Sequence, residues 1–478
     1  METLSTLTRC CLSSFLTKPP LTATRVDKPC VLIANRGEIA LRAVEACRLL
    51  NIRSVAVFST ADRSMPHVMQ ADEAVCIGPP QSTKSYLNQD ALLHVAQQRG
   101  CNFIYPGYGF LAENADFAER CAQAGIVFVG PSANAIRVMG DKARARRAAI
   151  EAGIPVVPGS TEAFSDLSSA QAEAGKIGYP LLLKASAGGG GRGMRVVEGA
   201  ESFEAMFLQA STEAKEAFGN AEVYLERYFS RVRHIEVQIF GDRHNRVMHL
   251  GERDCTVQRR HQKLVEESPA VALTAGERKT LHTWSVSLAE AVEYEGAGTV
   301  EFIFDEESRE AFFIEMNTRI QVEHPVTEVR VGANLVAEQL RVAMGQALSL
   351  PEEKAWQAVH AIEFRINAED PSAGFMPRPG TVSKWEVPTG SGIRMDTFAS
   401  VGTAIPPFYD SMVGKLIIYD EARDQAIEKA QQVLDQIQIE GIPTSTPFHQ
   451  ALVGSLAFRE NRIYTRWVEQ EFLPSPQR

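Results

Sequence analysis

The sequence contains few cysteines and no long hydrophobic run. Its 478 residues include eight cysteines, and none of them forms a CxxC pair. In a chain of this length, that spacing disfavours a zinc or disulfide framework and predicts reduced, mostly buried thiols. No apolar stretch reaches the roughly 18 residues that a transmembrane helix requires, so no membrane-spanning segment is predicted.

Positively charged residues are fewer than negatively charged ones. The formal net charge is −10, which argues against a general binding surface for nucleic acids or anionic membranes. The remaining composition, with 45% hydrophobic and 23% charged residues, is that of a globular protein. Because the length exceeds that of one ordinary hydrophobic core, we expect several domains.

Two familiar nucleotide-binding motifs are missing. The first predicted strand, Cys30–Asn35, continues into Arg36–Glu38 instead of a GxGxxG turn, which disfavours a dinucleotide site there. No GxxxxGK[ST] phosphate loop occurs. A helical pattern and a second strand, Ser54–Phe58, follow, and this strand–helix–strand order predicts a parallel α/β domain.

A glycine-rich segment follows a predicted buried strand. The run Tyr179–Lys184 ends in a lysine, and the four consecutive glycines Gly188–Gly191 come shortly after it. A lysine at the end of a buried strand is costly unless it meets an anion, and glycines let backbone amides approach phosphate groups. We therefore predict a phosphate-binding loop that closes over its ligand, with a flexible surface loop as the alternative.

Two apolar strands flank the polar turn Asp305–Glu310 and predict a β-hairpin. A simple register places Glu301 near Glu315 across the two strands. Facing carboxylates repel each other unless a cation lies between them, and Mg²⁺ bound to ATP phosphates is such a cation. Asn317 would lie on the same side of this site. An exposed pair separated by water is the alternative.

The segment after this hairpin is polar and irregular. Arg319 could hold a planar anion with two hydrogen bonds, and Glu323 could act as a general base. The basic cluster Gln258–Lys263 predicts a pocket for phosphate or carbonate groups, because Glu266 and Glu267 directly after it argue against nucleic acid. Solvated turns are the alternatives for both segments.

Arg365 lies in an alternating segment, Ala361–Asn367. The alternation puts Ile362 and Phe364 on one side of a strand and Glu363 and Arg365 on the other. From these residues alone, we predict an exposed salt bridge for Arg365.

The chain as a whole closely resembles biotin carboxylase, the ATP-grasp component of biotin-dependent carboxylases. The likeness runs from about Cys30 to Tyr464. The segments that carry it are Ala34–Ile39, Tyr105–Leu111, Met139–Lys142, Lys184–Gly193, Gly251–Lys263, Phe313–Glu328, Arg365–Asp370 and Tyr409–Lys415. So many long matches in the same order make the resemblance specific.

The resemblance implies a mixed α/β fold, α+β overall. A Rossmann-like N-terminal domain would precede an ATP-grasp lid and central part, and a C-terminal biotin carboxylase domain would complete the chain. The expected divisions are a disordered extension at 1–28, the N-terminal domain at 29–130, linker helices at 131–156, the lid at 157–228, the central part at 229–350 and the C-terminal domain at 351–478.

The resemblance also implies a binding site for ATP with Mg²⁺, or Mn²⁺ in its place. Glu301, Glu315 and Asn317 would hold the metal ion. The residues expected to contact ATP are Lys142, Lys184, Gly189, Gly190, Gly191, Met194, Glu226, Arg227, His234, Gln258 and His261.

Bicarbonate and biotin would bind next to the ATP phosphates. By the same resemblance, Glu323 would deprotonate bicarbonate, Lys263 would steady the transferred phosphoryl group, and Arg319 would take part in catalysis. Arg365 would stabilise the biotin enolate, which contradicts the exposed salt bridge predicted from local sequence. The residues expected to bind bicarbonate or biotin are Lys263, Arg319, Gln321, Val322, Glu323, Arg365, Tyr108 and Asp410.

The chain has no Met-Lys dipeptide, the signature of biotin attachment. The resemblance therefore implies a separate biotin carboxyl carrier protein, separate carboxyltransferase subunits and a homodimer. Acetyl-CoA carboxylase, the first step of fatty acid synthesis, is the expected system, and the pyruvate, propionyl-CoA and methylcrotonyl-CoA systems stay open. A ligase similar to carbamoyl-phosphate synthetase and an inactive ATP-binding scaffold are the alternatives.

The N-terminal segment 1–28 differs from the rest of the chain. It is rich in Ser and Thr and contains Pro19-Pro20. We predict a disordered extension, with a targeting peptide as the alternative. The expected location is cytoplasmic, or organellar if this segment is a targeting peptide.

Overall fold

The computed structural model describes residues 28–160, 162–185, 194–218 and 221–473. The predicted disordered extension therefore lies almost entirely outside the described residues. Within the described part, no helix combines the length and the hydropathy that crossing a membrane requires.

The N-terminal part is built on a five-stranded parallel sheet with the order β3-β2-β1-β4-β5. Its first strand is apolar and fully buried, and Cys30 pairs with Arg53 on the second strand in parallel, so the predicted strand–helix–strand unit is confirmed. The elements are β1 (Cys30–Ile33), α1 (Gly37–Leu49), β2 (Arg53–Ser59), α2 (Pro66–Gln70), β3 (Glu73–Gly78), α3 (Gln89–Gln98), β4 (Phe103–Tyr105), α4 (Ala115–Gln123), β5 (Val127–Phe128), α5 (Ala133–Gly140) and α6 (Lys142–Glu151).

A small α/β unit follows. Its three antiparallel strands have the order β7-β6-β8. One helix packs against the core of this unit through Phe203 and Phe207, and the other through Ala170 and Ala174. The elements are α7 (Leu167–Ile177), β6 (Leu181–Ala185), β7 (Met194–Val197), α8 (Ala200–Phe218) and β8 (Val223–Arg227).

The largest element of the fold is an eight-stranded antiparallel sheet with the order β13-β12-β9-β10-β11-β14-β21-β19. Its central strands carry the polar motifs of the sequence. The elements up to its sixth strand are β9 (Val232–Gly241), β10 (Val247–Arg259), β11 (Gln262–Ser268), α9 (Ala275–Ala291), β12 (Gly296–Asp305), β13 (Glu310–Asn317), α10 (His324–Val331), α11 (Leu335–Ala343) and β14 (His360–Asn367).

The C-terminal part completes this sheet and packs helices against it. Val265 on β11 pairs with Phe364 on β14, so one continuous sheet joins the central and C-terminal parts of the chain. The remaining elements are β15 (Glu369–Asp370), β16 (Met376–Pro377), β17 (Gly380–Thr381), β18 (Lys384–Glu386), β19 (Ile393–Thr397), β20 (Ala404–Ile405), β21 (Met412–Asp420), α12 (Arg423–Gln436), β22 (Gln438–Glu440), α13 (Thr446–Gly454) and α14 (Leu456–Arg459).

These layers confirm the predicted mixed α/β fold, with a parallel N-terminal sheet and antiparallel sheets after it. Short helices hold the polar segments in place. Helix α10, for example, begins directly after Glu323 with Pro325 in its first turn and ends at Gly332, whose φ of 71° a glycine adopts without strain. The polar segment before α10 is thereby held against the eight-stranded sheet.

Candidate active site

Two carboxylates face each other across the β12–β13 hairpin. Glu301 pairs with Glu315 in the strand register, as the sequence predicted. Glu301 is buried, whereas Glu315 is exposed at the rim. Partial desolvation and the charge of Glu301 raise the pKa of Glu315, while the nearby charge of Lys142 lowers it less. A divalent cation between the two carboxylates would relieve this repulsion, so the pair fits a metal ion.

Glu301 is the centre of a hydrogen-bonded cluster. Its Oε1 accepts hydrogen bonds from Lys263 Nζ at 3.0 Å, Asn317 Nδ2 at 2.9 Å and Gln321 Nε2 at 3.0 Å. Its Oε2 lies 3.0 Å from His234 Nε2. Burial raises the pKa of Glu301, but Lys263 and His234 outweigh burial and lower it below its usual range. Five residues that the sequence singled out therefore meet at one point.

Lys263 connects this cluster to Glu323, the residue predicted to act as a general base. Its Nζ donates to Glu236 Oε2 at 2.5 Å and to Glu323 Oε1 at 2.6 Å, in addition to Glu301. Burial lowers the pKa of Lys263, but Glu236, Glu323 and Glu301 raise it well above its usual value. The ammonium group is consequently charged. No role for Glu236 was predicted from the sequence.

Glu323 lies between two cations. Its Oε1 contacts Lys263, and its Oε2 accepts a hydrogen bond from Arg365 Nη2 at 3.0 Å. The carboxylate is fully buried. Burial raises its pKa, whereas Lys263 and Arg365 together hold it well below its usual range. The predicted base is therefore ionised, which is the form that accepts a proton.

The exposed salt bridge predicted for Arg365 is wrong. Its side chain is 17% exposed and bonds to two buried carboxylates, Glu323 and Glu266, the latter through Nε at 2.6 Å. Burial and the charge of Glu323 raise the pKa of Glu266 to about 7, although Arg365 lowers it. Helices α10 and α12 both pack against β14. The alternation of apolar and polar residues along this strand therefore does not distinguish a solvent-exposed face from a buried one.

Arg319 is oriented by hydrogen bonds to residues near Glu301. Its guanidinium donates to Glu113 Oε2 at 2.8 Å, Asn317 Oδ1 at 3.2 Å and Gln321 Oε1 at 3.3 Å. Glu113 also accepts a hydrogen bond from the backbone amide of Thr318 at 3.0 Å. Glu113, which follows the Tyr105–Leu111 motif by two residues, was not predicted as a site residue. The arginine is thus oriented by polar partners from two separate parts of the chain.

A second network ties the segment that was predicted to bind bicarbonate to residues near both ends of the chain. Lys415, fully buried, donates to the carbonyl oxygen of Val322 at 3.0 Å and lies 2.8 Å from Glu38 Oε1. Tyr108 donates its hydroxyl to Glu38 Oε2 at 2.6 Å. Burial and the Glu38 carboxylate raise the pKa of Tyr108 well above its usual value. Neither Glu38 nor Lys415 was predicted as a site residue, although both lie within the motifs that carry the resemblance.

The remaining predicted residues have the following partners and positions. Lys184 forms an ion pair with Glu226, and Arg227 donates to the carbonyl oxygen of Ile177 at 3.4 Å. Asp410 is exposed and accepts a hydrogen bond from the backbone amide of Met412 at 2.9 Å. Lys142 is the first residue of α6, Gln258 is buried opposite Lys263 in the strand register, and His261 is exposed in the turn between β10 and β11. Gly189, Gly190 and Gly191 lie outside the described residues, as does the side chain of Met194.

Three family models match the chain in succession. They are "Biotin carboxylase, N-terminal domain" over residues 28–136, "Carbamoyl-phosphate synthase L chain, ATP binding domain" over 141–351 and "Biotin carboxylase C-terminal domain" over 363–470. The biotin carboxylase models on both sides of the shared ATP-binding domain disfavour the carbamoyl-phosphate synthetase alternative.

Curated relatives come from several carboxylase systems. "Biotin carboxylase 1" of Bacillus subtilis is 49% identical over 92% of this chain and 98% of its own length. The alpha subunit of the mitochondrial methylcrotonoyl-CoA carboxylase of Glycine max is 47% identical over 93% of this chain and 61% of its own length. A pyruvate carboxylase subunit of Methanothermobacter thermautotrophicus is 45% identical over 92% of this chain and 89% of its own length.

Solved structures show the same architecture. A biotin carboxylase from Campylobacter jejuni in complex with β,γ-ATP has a TM-score of 0.85 and 43% identity over 93% of this chain and 99% of that one. The biotin carboxylase domain dimer of the Hydrogenobacter thermophilus 2-oxoglutarate carboxylase, with MgADP and bicarbonate, has a TM-score of 0.83 and 44% identity over 92% of this chain and 97% of that one. With this fold, these matches and a polar centre built from its own motifs, the chain belongs to the biotin carboxylase family of ATP-dependent ligases.

Proposed function

We propose that this biotin carboxylase acts on biotin attached to a separate carrier protein, as the first half-reaction of acetyl-CoA carboxylase, with separate carboxyltransferase subunits. The observation that carries the chemistry is the position of Glu323, a buried, ionised carboxylate between Lys263 and Arg365. The similarity to stand-alone biotin carboxylases over 98% of their length supports the acetyl-CoA system. The pyruvate, propionyl-CoA and methylcrotonyl-CoA systems are the alternatives, since relatives from two of them are similarly identical.

The proposed reaction begins with bicarbonate. Arg319, Gln321 and Val322 would hold the anion, and Glu323 would remove its proton. Bound bicarbonate would also interact with Lys263, so this lysine would stabilise the Glu323 carboxylate less. The pKa of Glu323 would therefore be higher when this residue acts as a base. The deprotonated oxygen attacks the γ-phosphorus of ATP, the bond to the β-phosphate oxygen breaks, and carboxyphosphate and ADP form.

Carboxyphosphate then breaks down to CO₂ and phosphate in the closed site. The phosphate takes the proton from N1 of biotin, and the deprotonated N1 attacks CO₂ to give N1-carboxybiotin. Arg365 would stabilise the enolate form of biotin, because its guanidinium is fixed by Glu266 and Glu323 and carries a permanent positive charge. Tyr108 and Asp410 would border the biotin ring.

The nucleotide would occupy the space between the lid and the Glu301 cluster. Mg²⁺, or Mn²⁺, would be held by Glu301, Glu315 and Asn317 and would supply charge neutralisation on the phosphate oxygens. The proposed ATP contacts are Lys142, Lys184, Gly189, Gly190, Gly191, Met194, Glu226, Arg227, His234, Gln258 and His261. Closure of the lid would keep water from carboxyphosphate, which hydrolyses readily.

The metal assignment predicts a pH-dependent affinity for Mg²⁺ and ATP. The pKa of Glu315 is raised, so this carboxyl binds a proton in a pH range above its ordinary value, where it competes with Mg²⁺. We expect the KM for MgATP to rise as the pH falls through that range. Glu315→Gln should raise this KM at least about tenfold, a loss typical of metal-site substitutions, and should remove much of its pH dependence.

Steady-state kinetics over a series of pH values measure both effects. The matched control is Glu310→Gln, which removes an exposed carboxylate at the start of the same strand. A Glu315→Gln variant with the wild-type KM at every pH contradicts the assignment of Glu315 to the metal.

The acceptor system is tested by reconstitution. The purified chain is combined with biotinylated carrier proteins from the acetyl-CoA, methylcrotonyl-CoA, propionyl-CoA and pyruvate systems, and the rate of carrier carboxylation is measured for each. We expect kcat/KM to be at least about tenfold higher with the acetyl-CoA carboxylase carrier than with the others. A preference for another carrier assigns the chain to that system, and no ATP turnover with any carrier or with free biotin favours the inactive scaffold.

The remaining proposals concern assembly and location. We propose a homodimer, as described for the Hydrogenobacter thermophilus domain. We also propose a cytoplasmic location, as expected for a relative of the Bacillus subtilis protein. The divisions at residues 28, 130, 156, 228 and 350 stay predictions.

A further inference from the structure

Two thiols touch each other in the N-terminal sheet, remote from the cluster around Glu301. The sulfur atoms of Cys30 and Cys101 are 3.1 Å apart, although the residues are 71 positions apart in the chain. Cys30 opens β1, and Cys101 lies two residues before β4, which pairs with β1 in parallel. Among the six described cysteines, no other pair of sulfurs is in contact.

The backbone holds these two thiols together. The amide of Asn102 donates to the carbonyl oxygen of Cys30 at 2.9 Å, and the amide of Cys30 donates to Asn102 Oδ1 at 3.3 Å. The amide of Cys101 donates to the carbonyl oxygen of Ala96 near the end of α3, at 2.8 Å. A disulfide requires sulfur atoms about 2.05 Å apart, so the thiols need to approach by only about 1 Å.

A polar cavity lies beside the chain segments that carry this pair. Its volume is about 840 Å³, and its lining includes Gly100 and Asn102 on both sides of Cys101, together with Lys28 and Arg53. Neither cysteine lines this cavity, and Cys30 is fully buried while Cys101 is 5% exposed, so the pair is closed to a protein disulfide. A small oxidant would enter past Gly100 and Asn102. The contact with Cys101 lowers the pKa of Cys30, which burial raises and the charge of Arg53 lowers, whereas the same contact and burial raise the pKa of Cys101. Cys30 is therefore the member of the pair that more readily becomes the thiolate that oxidation requires.

We propose that Cys30 and Cys101 are a peroxide-sensitive modification site that forms an intramolecular disulfide. The Cys30 thiolate attacks one oxygen of hydrogen peroxide, the O–O bond breaks, and Cys30 sulfenic acid and hydroxide form. The Cys101 thiol then attacks the sulfenic sulfur, the S–O bond breaks, and a second hydroxide leaves. The thiol protons convert the two hydroxides into water, so two thiols and one peroxide give one disulfide and two water molecules.

The disulfide should stabilise the fold without changing catalysis. It closes a loop of 71 positions, and long loops gain the most from a cross-link. The pair lies at the start of β1, whereas Glu38 and the active-site network lie beyond the end of that strand. Oxidation should therefore raise the melting temperature by about 5 °C.

The test uses the full chain, fully reduced and then treated with hydrogen peroxide. A non-reducing tryptic digest should link peptide 26–36 to peptide 100–120, each of which contains one cysteine, with a mass loss of about 2 Da for the two hydrogens. Cys10 and Cys11 lie outside the described residues and fall in other peptides, so the digest separates their oxidation from this site.

Matched variants complete the test. Cys101→Ala should abolish both the linked peptides and the rise in melting temperature, whereas Cys47→Ala, a buried cysteine of the same sheet region, should keep both. The exposed Cys76 reports that the oxidant was active. Oxidised Cys76 without a 26–36/100–120 link in the wild type, or a thermal shift that persists in Cys101→Ala, overturns the proposal.

Discussion

Glu323→Gln is expected to lower kcat for biotin carboxylation by about 10²- to 10⁴-fold, the range that loss of a general base produces. The amide keeps the shape of the side chain but does not accept a proton. Lys263 retains Glu236 and Glu301 as partners, and Arg365 retains Glu266, so the neighbouring cations stay in place. The loss should appear in kcat, with a smaller change in the KM for bicarbonate.

The measurement is steady-state formation of carboxybiotin and ADP at varied bicarbonate. The control is Glu252→Gln, which makes the same substitution at another fully buried glutamate, paired with Arg278 and His282 outside the candidate active site. That variant should lose stability and keep its kcat. Full activity of Glu323→Gln would falsify the base assignment, and an equal loss in both variants would show a general effect of removing a buried charge.

Lys415→Met should affect both stability and bicarbonate binding. Lys415 is fully buried, so its removal leaves Glu38 without its cation, and breaking such a buried pair costs about 3–5 kcal/mol of the free energy of unfolding. The carbonyl oxygen of Val322 also loses its donor. Because this carbonyl belongs to the proposed bicarbonate-binding segment, we expect the KM for bicarbonate to rise by about 10- to 100-fold.

A second variant separates these two effects. In the double variant Lys415→Met with Glu38→Gln, the uncompensated carboxylate is gone, so part of the lost stability should return. The KM for bicarbonate should stay high, since Val322 still lacks its donor. Lys429→Met is the surface control, because Lys429 pairs with Asp420 at partly exposed positions, where a pair contributes about 0–1 kcal/mol.

Denaturant titration and bicarbonate kinetics measure these quantities. A Lys415→Met variant that unfolds at a lower denaturant concentration but keeps the wild-type KM assigns this lysine a purely structural role. If the double variant recovers both its stability and the wild-type KM for bicarbonate, Lys415 also has a purely structural role. The carbonyl of Val322 would then not depend on Lys415.

Some features of the site follow from local sequence. The hairpin that carries Glu301 and Glu315 was predictable because a short polar turn joins two apolar runs. A β-bulge between Phe302 and Glu301 then shifts the register so that Glu301 pairs with Glu315. The segments that carry the resemblance also contained Lys263, Glu323 and Arg365, which the structure brings into direct contact.

Other features depend on contacts that no local pattern encodes. Glu113 accepts a hydrogen bond from Arg319, although the two residues are 206 positions apart in the chain. Lys415 and Glu38 meet from opposite ends of the sequence, and the burial of Arg365 depends on helices that pack over β14. In each case the partners are set by how sheets and helices pack.

By itself, the sequence determined the family, the fold class and the chemical types available for the reaction, because strand periodicity, glycine placement and motif order are properties of neighbouring residues. Only the tertiary structure decided the ionisation of those groups and their partners. Burial raises the pKa of a carboxyl group and lowers that of a lysine, and charges within a few ångströms add to this shift or outweigh it. For Glu323 and Lys263, those charges come from strands and loops that are brought together by the eight-stranded sheet.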